Sequence, residues 1–315
     1  MSYTVKIKEE ISNLDVTKSE IIAELSGFIR NNGVLHDNVL HLTTENEFTV
    51  ERLKKFFQNL YEIDVEVEVK DNLNFSKKNL YQISISQKTS LILQDLAYLD
   101  NNGTYIETPP TYIVGANEEL RAYLRGVFLC TGSINDPKTS RYHKELLISK
   151  PNEAVFVQKL LNVFDLNAKI LNREKGYMIY IKEAEKISDY IRILGASQAV
   201  LYFENARIYR EKKNQTNRLN NCEQANMDKI FATAQQQLEQ IALIEETGSI
   251  ELLDDRTKIA LEFRKKYPES SLKELSEIIS VETGKPITKS GLNHRYRKIR
   301  DLAIQLEKLE SKKSD

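Results

Sequence analysis

Leu25-Ser26-Gly27-Phe28-Ile29-Arg30-Asn31-Asn32-Gly33 returns in outline as Leu124-Arg125-Gly126-Val127-Phe128-Leu129-Cys130-Thr131-Gly132, with both glycine pairs 99 residues apart. A repeat this long predicts a duplicated domain. Each copy reads as a helix with an apolar stripe up to Ile29 or Leu129, ending on a glycine where positive φ is expected to let the chain leave the helix. Gly27 and Gly126 fall inside the helix, where glycine costs roughly 1 kcal/mol against alanine. A cost taken in both copies points to two backbones in close approach, as when the two helices pack on each other.

Outward from these helices the element order also repeats. The first half reads as a helix over 17–31, a hairpin over 33–43 turning at Asp37-Asn38, and a helix over 49–61. Strands over 65–70 and 81–86 and a helix over 89–99 follow, then turn chemistry over 100–110. The second half gives a helix over 117–130, strands around 132–135 and 144–149, and a helix over 153–164. A strand over 168–172, a turn at Glu174-Lys175-Gly176, a strand over 177–182 and a helix over 184–194 complete it. The order is αββαββα twice, with period-2 patterns such as Val65-Glu66-Val67-Glu68-Val69 marking half-buried antiparallel strands.

The doubled Leu-x-Gly-x-x-x-x-x-Gly spacing and this element order resemble the LAGLIDADG homing endonucleases. The resemblance implies two halves across a pseudo-two-fold, with the strands forming a saddle and an acid before each last glycine to bind the catalytic metal. This chain has Asn32 and Thr131 there. An amide and a hydroxyl cannot supply the charged oxygen ligands of a Mg²⁺ site, so the fold is expected without cleavage. Glu24 stands too early in the helix to substitute, and Asp136 is the remaining acid near the second motif. No metal or other cofactor is expected, since His36, His41, His143 and His294 show no ligand spacing. His36 and His41 flank one hairpin turn and are expected to face each other.

Composition favours a globular protein: of 315 residues, 41% are hydrophobic and 29% charged. No apolar run approaches a membrane span, and the charged start of the chain does not read as a signal peptide, so no membrane insertion and a cytoplasmic location are expected. Cys130 and Cys222 lack a CxxC partner, fit a reducing compartment and read as small packing residues. The net charge of −1 hides an asymmetry. Residues 1–110 hold 11 Lys and Arg against 17 Asp and Glu, whereas residues 256–313 hold 15 against 8. The basic end has the electrostatic footprint of nucleic-acid binding, and the acidic half suits protein partners in transcription or division machinery.

The basic end is also patterned. Residues 196–247 read as a polar helical stretch in which asparagines, better suited to contacts than to helicity, include Asn217, Asn220 and Asn226 beside Arg218. A helix over 256–267 stops at Pro268. Ser271 then caps a second, with Glu274 at the capping-box position, and Thr288 opens a last helix to about residue 309. Two helices joined by a Gly-containing connection, the second strongly basic, outline a helix-turn-helix. In the last helix Leu292, Tyr296, Ile299, Ala303 and Leu306 form the expected buried stripe. Ser290, Asn293, His294, Arg297 and Lys298 project away from it, with His294 open to a core or capping role instead. Lys285, Lys289, Arg295 and Arg300 are placed as phosphate anchors. Asn293 and Arg297 suit bidentate contacts to adenine and guanine.

With the segments 217–226, 271–275 and Thr288-Lys289-Ser290-Gly291-Leu292-Asn293-His294-Arg295 added, the chain resembles the WhiA family along nearly its whole length. That resemblance implies a non-cleaving, double-stranded-DNA-binding regulator linked to transcription, cell division, chromosome segregation and sporulation. The expected class is α+β, two LAGLIDADG-like repeats followed by an all-helical helix-turn-helix domain. The expected divisions are 1–110, 111–200, an Asn-rich linker over 201–250, and 251–315. A residual endonuclease and a scaffold recruiting division machinery are the competing readings.

Overall fold

A computed structural model of the protein describes residues 1–70, 79–139 and 141–311; Lys312 and Lys313, counted in the basic balance above, lie outside the described residues. The chain opens on a helix absent from the sequence reading, α1 (Tyr3–Ser12), whose N-terminus is capped by the Ser2 side chain. Its stripe of Tyr3, Ile7 and Ile11 is buried. The first repeat then begins with α2 (Lys18–Asn32), started by a capping box between Thr17 and Glu20. Next comes the hairpin β1 (Val34–His36) and β2 (Val39–Thr44), turning through Asp37 and Asn38 at φ 47° and 61°. Two consecutive left-handed residues match the twist of paired strands.

After α3 (Glu47–Tyr61), β3 (Glu66–Lys70) and β4 (Leu80–Ile85), the helix expected over 89–99 is shorter, α4 (Thr89–Asp95). It ends where Ala97 takes φ 50° and Leu99 bridges to Tyr105, so the chain folds back on itself. The second copy adds a short α5 (Thr111–Val114) and repeats the order. It runs α6 (Asn117–Thr131), β5 (Gly132–Ile134), β6 (Lys144–Ile148), α7 (Pro151–Val163), β7 (Lys169–Arg173), β8 (Gly176–Ile181) and α8 (Ala184–Leu194).

Each repeat builds a four-stranded antiparallel sheet of the same order, β1-β2-β4-β3 and β5-β6-β8-β7. The registers also coincide: Leu42 pairs with Ile83 as Leu146 pairs with Ile179. One face of each sheet is buried, as the alternating pattern requires. Between the repeats lie α2 and α6, and their glycines are where the backbones meet. A Cβ on Gly27 would stand 2.4 Å from the Tyr123 carbonyl oxygen, and one on Gly126 would stand 2.0 Å from that of Glu24.

The final glycines act differently from expectation. Gly33 and Gly132 leave their helices at φ −70° and −86°, in extended backbone open to any residue. Space is what they supply: a Cβ would meet the Ile29 carbonyl oxygen at 2.7 Å or the Phe128 ring at 2.0 Å. The two hairpin histidines are also not opposed. His36 pairs across the strands with Val39 and turns to Asp37, whereas His41 lies opposite Val34 and shares a hydrogen bond with Ser84.

The chain divides into two compact units, Met1–Glu211 and Lys212–Asp315. Helix α9 (Ser197–Glu246) belongs to both. Ala199 and Phe203 join the core of the first unit, and Ile241 and Ile244 that of the second. Cys130 packs as expected, its thiol pushed up to about 12 by burial, while Cys222 is exposed on α9 and is not a packing residue. The second unit adds α10 (Asp255–Lys266), α11 (Leu272–Thr283) and α12 (Lys289–Ser311), which enclose a separate core with the end of α9.

Candidate nucleic-acid interface

Two places could act on DNA, the ends of the paired helices and the last helix. At the first, Asn32 accepts a hydrogen bond from the Thr43 amide at 2.7 Å, tying the end of α2 to β2. Thr131 donates to the Val127 carbonyl at 2.8 Å within its own helix. Neither position offers a carboxylate. Glu24, two turns earlier in α2, is buried and accepts from Arg52 at 2.6 and 2.9 Å and from Arg125 of the other repeat at 2.9 Å. It clamps the two repeats together. Asp136 takes the Tyr202 hydroxyl at 3.2 Å on both oxygens.

Helix α1 closes in on the same region. Thr4 donates to the Ile134 carbonyl and accepts from the Ile134 amide, both at 2.9 Å, covering the free edge of β5. Glu10 accepts from the Gln198 and Ala199 amides at 2.7 and 3.0 Å, an acid at the N-terminus of α9 where the helix dipole favours one. A cleft of about 1110 Å³ remains beside the helix ends, lined by amides and hydroxyls such as Asn32, Thr43, Ser133 and Thr4. Among the described residues no three His, Cys, Asp or Glu side chains group closely enough to hold a metal ion.

The second place is built by the helical unit. Asp254 caps α10, and the Ser271–Glu274 capping box starts α11. Gly284 reverses the chain at φ 65°, and Thr288 caps α12 by accepting from the Gly291 amide at 3.1 Å. The predicted stripe is the one that packs, with Leu292, Tyr296, Ile299 and Ala303 buried and Leu306 against them. Tyr296 donates to the Ala260 carbonyl at 2.7 Å, fixing the rotation of α12 on α10. Arg264, fully buried, lays its guanidinium over the Tyr296 ring and donates to the Ser270 carbonyl at 2.6 Å.

This packing leaves Ser290, His294 and Arg297 exposed and Asn293 half-buried on the side away from the stripe. Their spacing, i, i+3, i+4 and i+7, puts them on one face. His294 is therefore neither core nor cap. The basic residues divide into two sets. Lys285 and Lys289 are exposed, and among the described residues no ion pair holds them or Arg297. Arg295 donates to the Arg256 carbonyl at 3.1 Å, Lys298 pairs with Asp254 at 2.7 Å, and Arg300 stands 3.7 Å from Asp301. The Lys298 ammonium, with help from Thr257, holds the Asp254 carboxyl down at about 2. Asp254, Arg256, His294, Arg295 and Lys298 surround a shallow cavity of about 530 Å³. The sequence reading missed Asp254 and Arg256, because nothing along the chain places the start of α10 beside the middle of α12.

Asn217, Arg218, Asn220 and Asn226 are all exposed on α9. They do not form one surface: at 100° per residue, Asn217 and Asn226 point to opposite sides. Asn214 and Asn221 are the residues that share a face with Asn217 and Arg218, and the i, i+3, i+4, i+7 rule applied to the sequence identifies them.

Residues 216–303 match the WhiA C-terminal HTH domain, residues 120–213 the WhiA LAGLIDADG-like domain, and residues 18–99 the WhiA N-terminal LAGLIDADG-like domain. A Staphylococcus haemolyticus protein described as "Probable cell division protein WhiA" is 40% identical over 317 residues, spanning 98% of this chain and 100% of that protein. The chain belongs to the WhiA family. A second WhiA relative, from Staphylococcus aureus strain Newman, is also 40% identical, over 97% of this chain and 98% of its own length. The crystal structure of full-length WhiA from Thermatoga maritima shares the fold, with a TM-score of 0.57 at 21% identity over 97% of this chain and 99% of that one. The family fold is the one described above, two LAGLIDADG-like domains, each with a four-stranded antiparallel sheet, followed by a helical HTH domain. No helix among the described residues is long and apolar enough to cross a membrane.

Proposed function

We propose that this protein binds double-stranded DNA in a sequence-specific way and regulates transcription connected with cell division, chromosome segregation and sporulation, acting at the nucleoid in the cytoplasm. The observation that carries this reading is the outward face of α12. Ser290, Asn293, His294 and Arg297 present hydrogen-bonding groups at one helical face, held in rotation by the buried stripe behind it. A helix so presented fits the major groove, where such side chains distinguish base pairs. Lys285 and Lys289 supply phosphate contacts from beside that face. Lys298, Arg295 and Arg300 can join them by exchanging their present carboxylate or carbonyl partners for phosphates. Asn217, Arg218, Asn220 and Asn226 belong to the same reading as contacts from α9, with Asn217 and Arg218 on the side best furnished for it.

The protein does not cut DNA on this reading. Asn32 and Thr131 lack carboxylates, Glu24 is held by two arginines, and α1 occupies the neighbourhood of the helix ends. Protein partners through the acidic first half complete the proposal, supported by the exposed Glu66 and Glu68 on β3. Sequencing genomic fragments retained by the full-length protein tests the central claim. A recurring motif is the expected result; fragments without a shared motif would reduce the helix to a non-specific phosphate clamp. Reproducible site-specific breaks in the same DNA with Mg²⁺ or Mn²⁺ would overturn the non-cleaving reading.

A further inference from the structure

The duplication provides an internal control for every surface residue, because the two sheets share one register. On the outward face of the first sheet, one row across three strands is Thr43–Gln82–Glu68. The corresponding row of the second sheet is Leu147–Met178–Leu171. The fold therefore does not require apolar side chains at these positions, yet the second repeat has three in a line, with Leu147 47% and Leu171 42% exposed. The neighbouring rows differ in part, since Arg173 keeps the positive charge that Lys70 has in the first sheet. Lys169 stands where the first sheet has Glu66, and Arg173 and Lys182 follow on the same outward face, both exposed. Lys182 lies over the Tyr180 ring at 5.0 Å. Among the described residues, the one carboxylate on the outward face of these strands, Glu145, shares a hydrogen bond with His143 at 3.1 Å.

An apolar centre with a charged rim is the anatomy of a protein-docking surface. Base edges in DNA are read by donors and acceptors, and the row Leu147–Met178–Leu171 offers none. A second copy presenting its first sheet is disfavoured too, since Thr43–Gln82–Glu68 gives no apolar row to cover the leucines. We propose that the outward face of β6, β7 and β8 docks an acidic amphipathic helix of a protein partner, its apolar side on Leu147, Met178 and Leu171 and its carboxylates on Lys169, Lys182 and Arg173. This goes beyond DNA binding by the helical unit and does not depend on it.

The test uses the full-length protein and designed amphipathic helical peptides with identical leucine faces and either Glu or Lys flanks. Anisotropy of the labelled peptides should show the Glu peptide binding about tenfold tighter or more, with salt weakening it. Hydrogen exchange should then slow over residues 169–182. Replacing the row by the first repeat's own residues, Leu147→Thr with Met178→Gln and Leu171→Glu, should cut Glu-peptide binding about tenfold or more while leaving binding to duplex DNA unchanged. Lys169→Glu with Arg173→Glu leaves the apolar row intact and should reverse the preference toward the Lys peptide. Equal binding of the two peptides, no binding of the Glu peptide, undiminished binding by both variants, or protection of this face by duplex DNA in place of peptide would each overturn the proposal.

Discussion

Gly126 stands with its hydrogen toward the Glu24 carbonyl, and the 2.0 Å left for a methyl group is far inside van der Waals contact with backbone that cannot step aside. Gly126→Ala should therefore destabilise the protein by about 1–3 kcal/mol despite alanine's better helix propensity, read as a lower thermal midpoint. Gly291→Ala serves as the control, since its methyl would meet Thr288 at an ordinary 3.4 Å. There the propensity gain of up to ~1 kcal/mol should be realised. A raised midpoint for Gly126→Ala would mean the helices are not locked by that approach.

Lys144 offers a second residue-scale prediction. It is fully buried where the first repeat has Leu40, its ammonium nitrogen lies over the Tyr190 ring at 4.1 Å, and among the described residues no hydrogen bond satisfies it. Burial holds its pKa well below the ordinary lysine value. A lysine that binds fewer protons folded than unfolded makes stability rise with pH between its folded pKa and about 10.5. Lys144→Leu should stabilise the protein near neutral pH by roughly 1–3 kcal/mol and flatten that slope. Denaturant melts across that pH range would show it, and a destabilised Lys144→Leu protein would assign the amine a partner.

At the scale of elements, α12 separates reading from anchoring. Arg297→Ala should cost about 1–3 kcal/mol on a selected site and relax preference mainly at one base pair. Lys289→Ala should weaken all sequences alike and lower the salt slope by about one unit, one counterion fewer being released. Both side chains are exposed, so melting should barely move. Titrations at several salt concentrations on selected and scrambled duplexes distinguish the two; equal losses on both for Arg297→Ala would remove it from the readers. Helix α1 is the element that sequence reasoning overlooks. Its charged residues draw attention from its apolar positions. Yet Tyr3, Ile7 and Ile11 recur at i, i+4 and i+8, a helical stripe legible in the residues themselves.

For the whole molecule, the two repeats share one continuous core that extends to Phe203, and the helical unit has its own. A fragment ending at Glu211 should fold cooperatively and lose most DNA affinity. Circular dichroism and binding titrations check this, and full affinity in the fragment would move the DNA site to the repeats. Lys265–Glu245 and Lys266–Glu282 pair at 2.7 Å each on the surface of the helical unit. Exposed pairs of this kind contribute little to stability, so that unit rests on its apolar stripe.

The sequence by itself determined the duplication, the order and most boundaries of the elements, the close approach at Gly27 and Gly126, and the buried stripe of α12. All of these follow from local spacing, since period-2 and period-3.6 patterns and capping residues act within a few positions of themselves. Tertiary structure alone decided what each polar side chain faces. Glu24 meets Arg125 across 101 residues, Lys298 meets Asp254 across 44, and Thr4 meets Ile134 across 130. Such partners are set by how elements pack, which no spacing along the chain encodes. The same limit explains the final glycines: their place at the helix ends pointed to a positive backbone angle, and only the surrounding Ile29 and Phe128 showed that space, not backbone angle, was the reason.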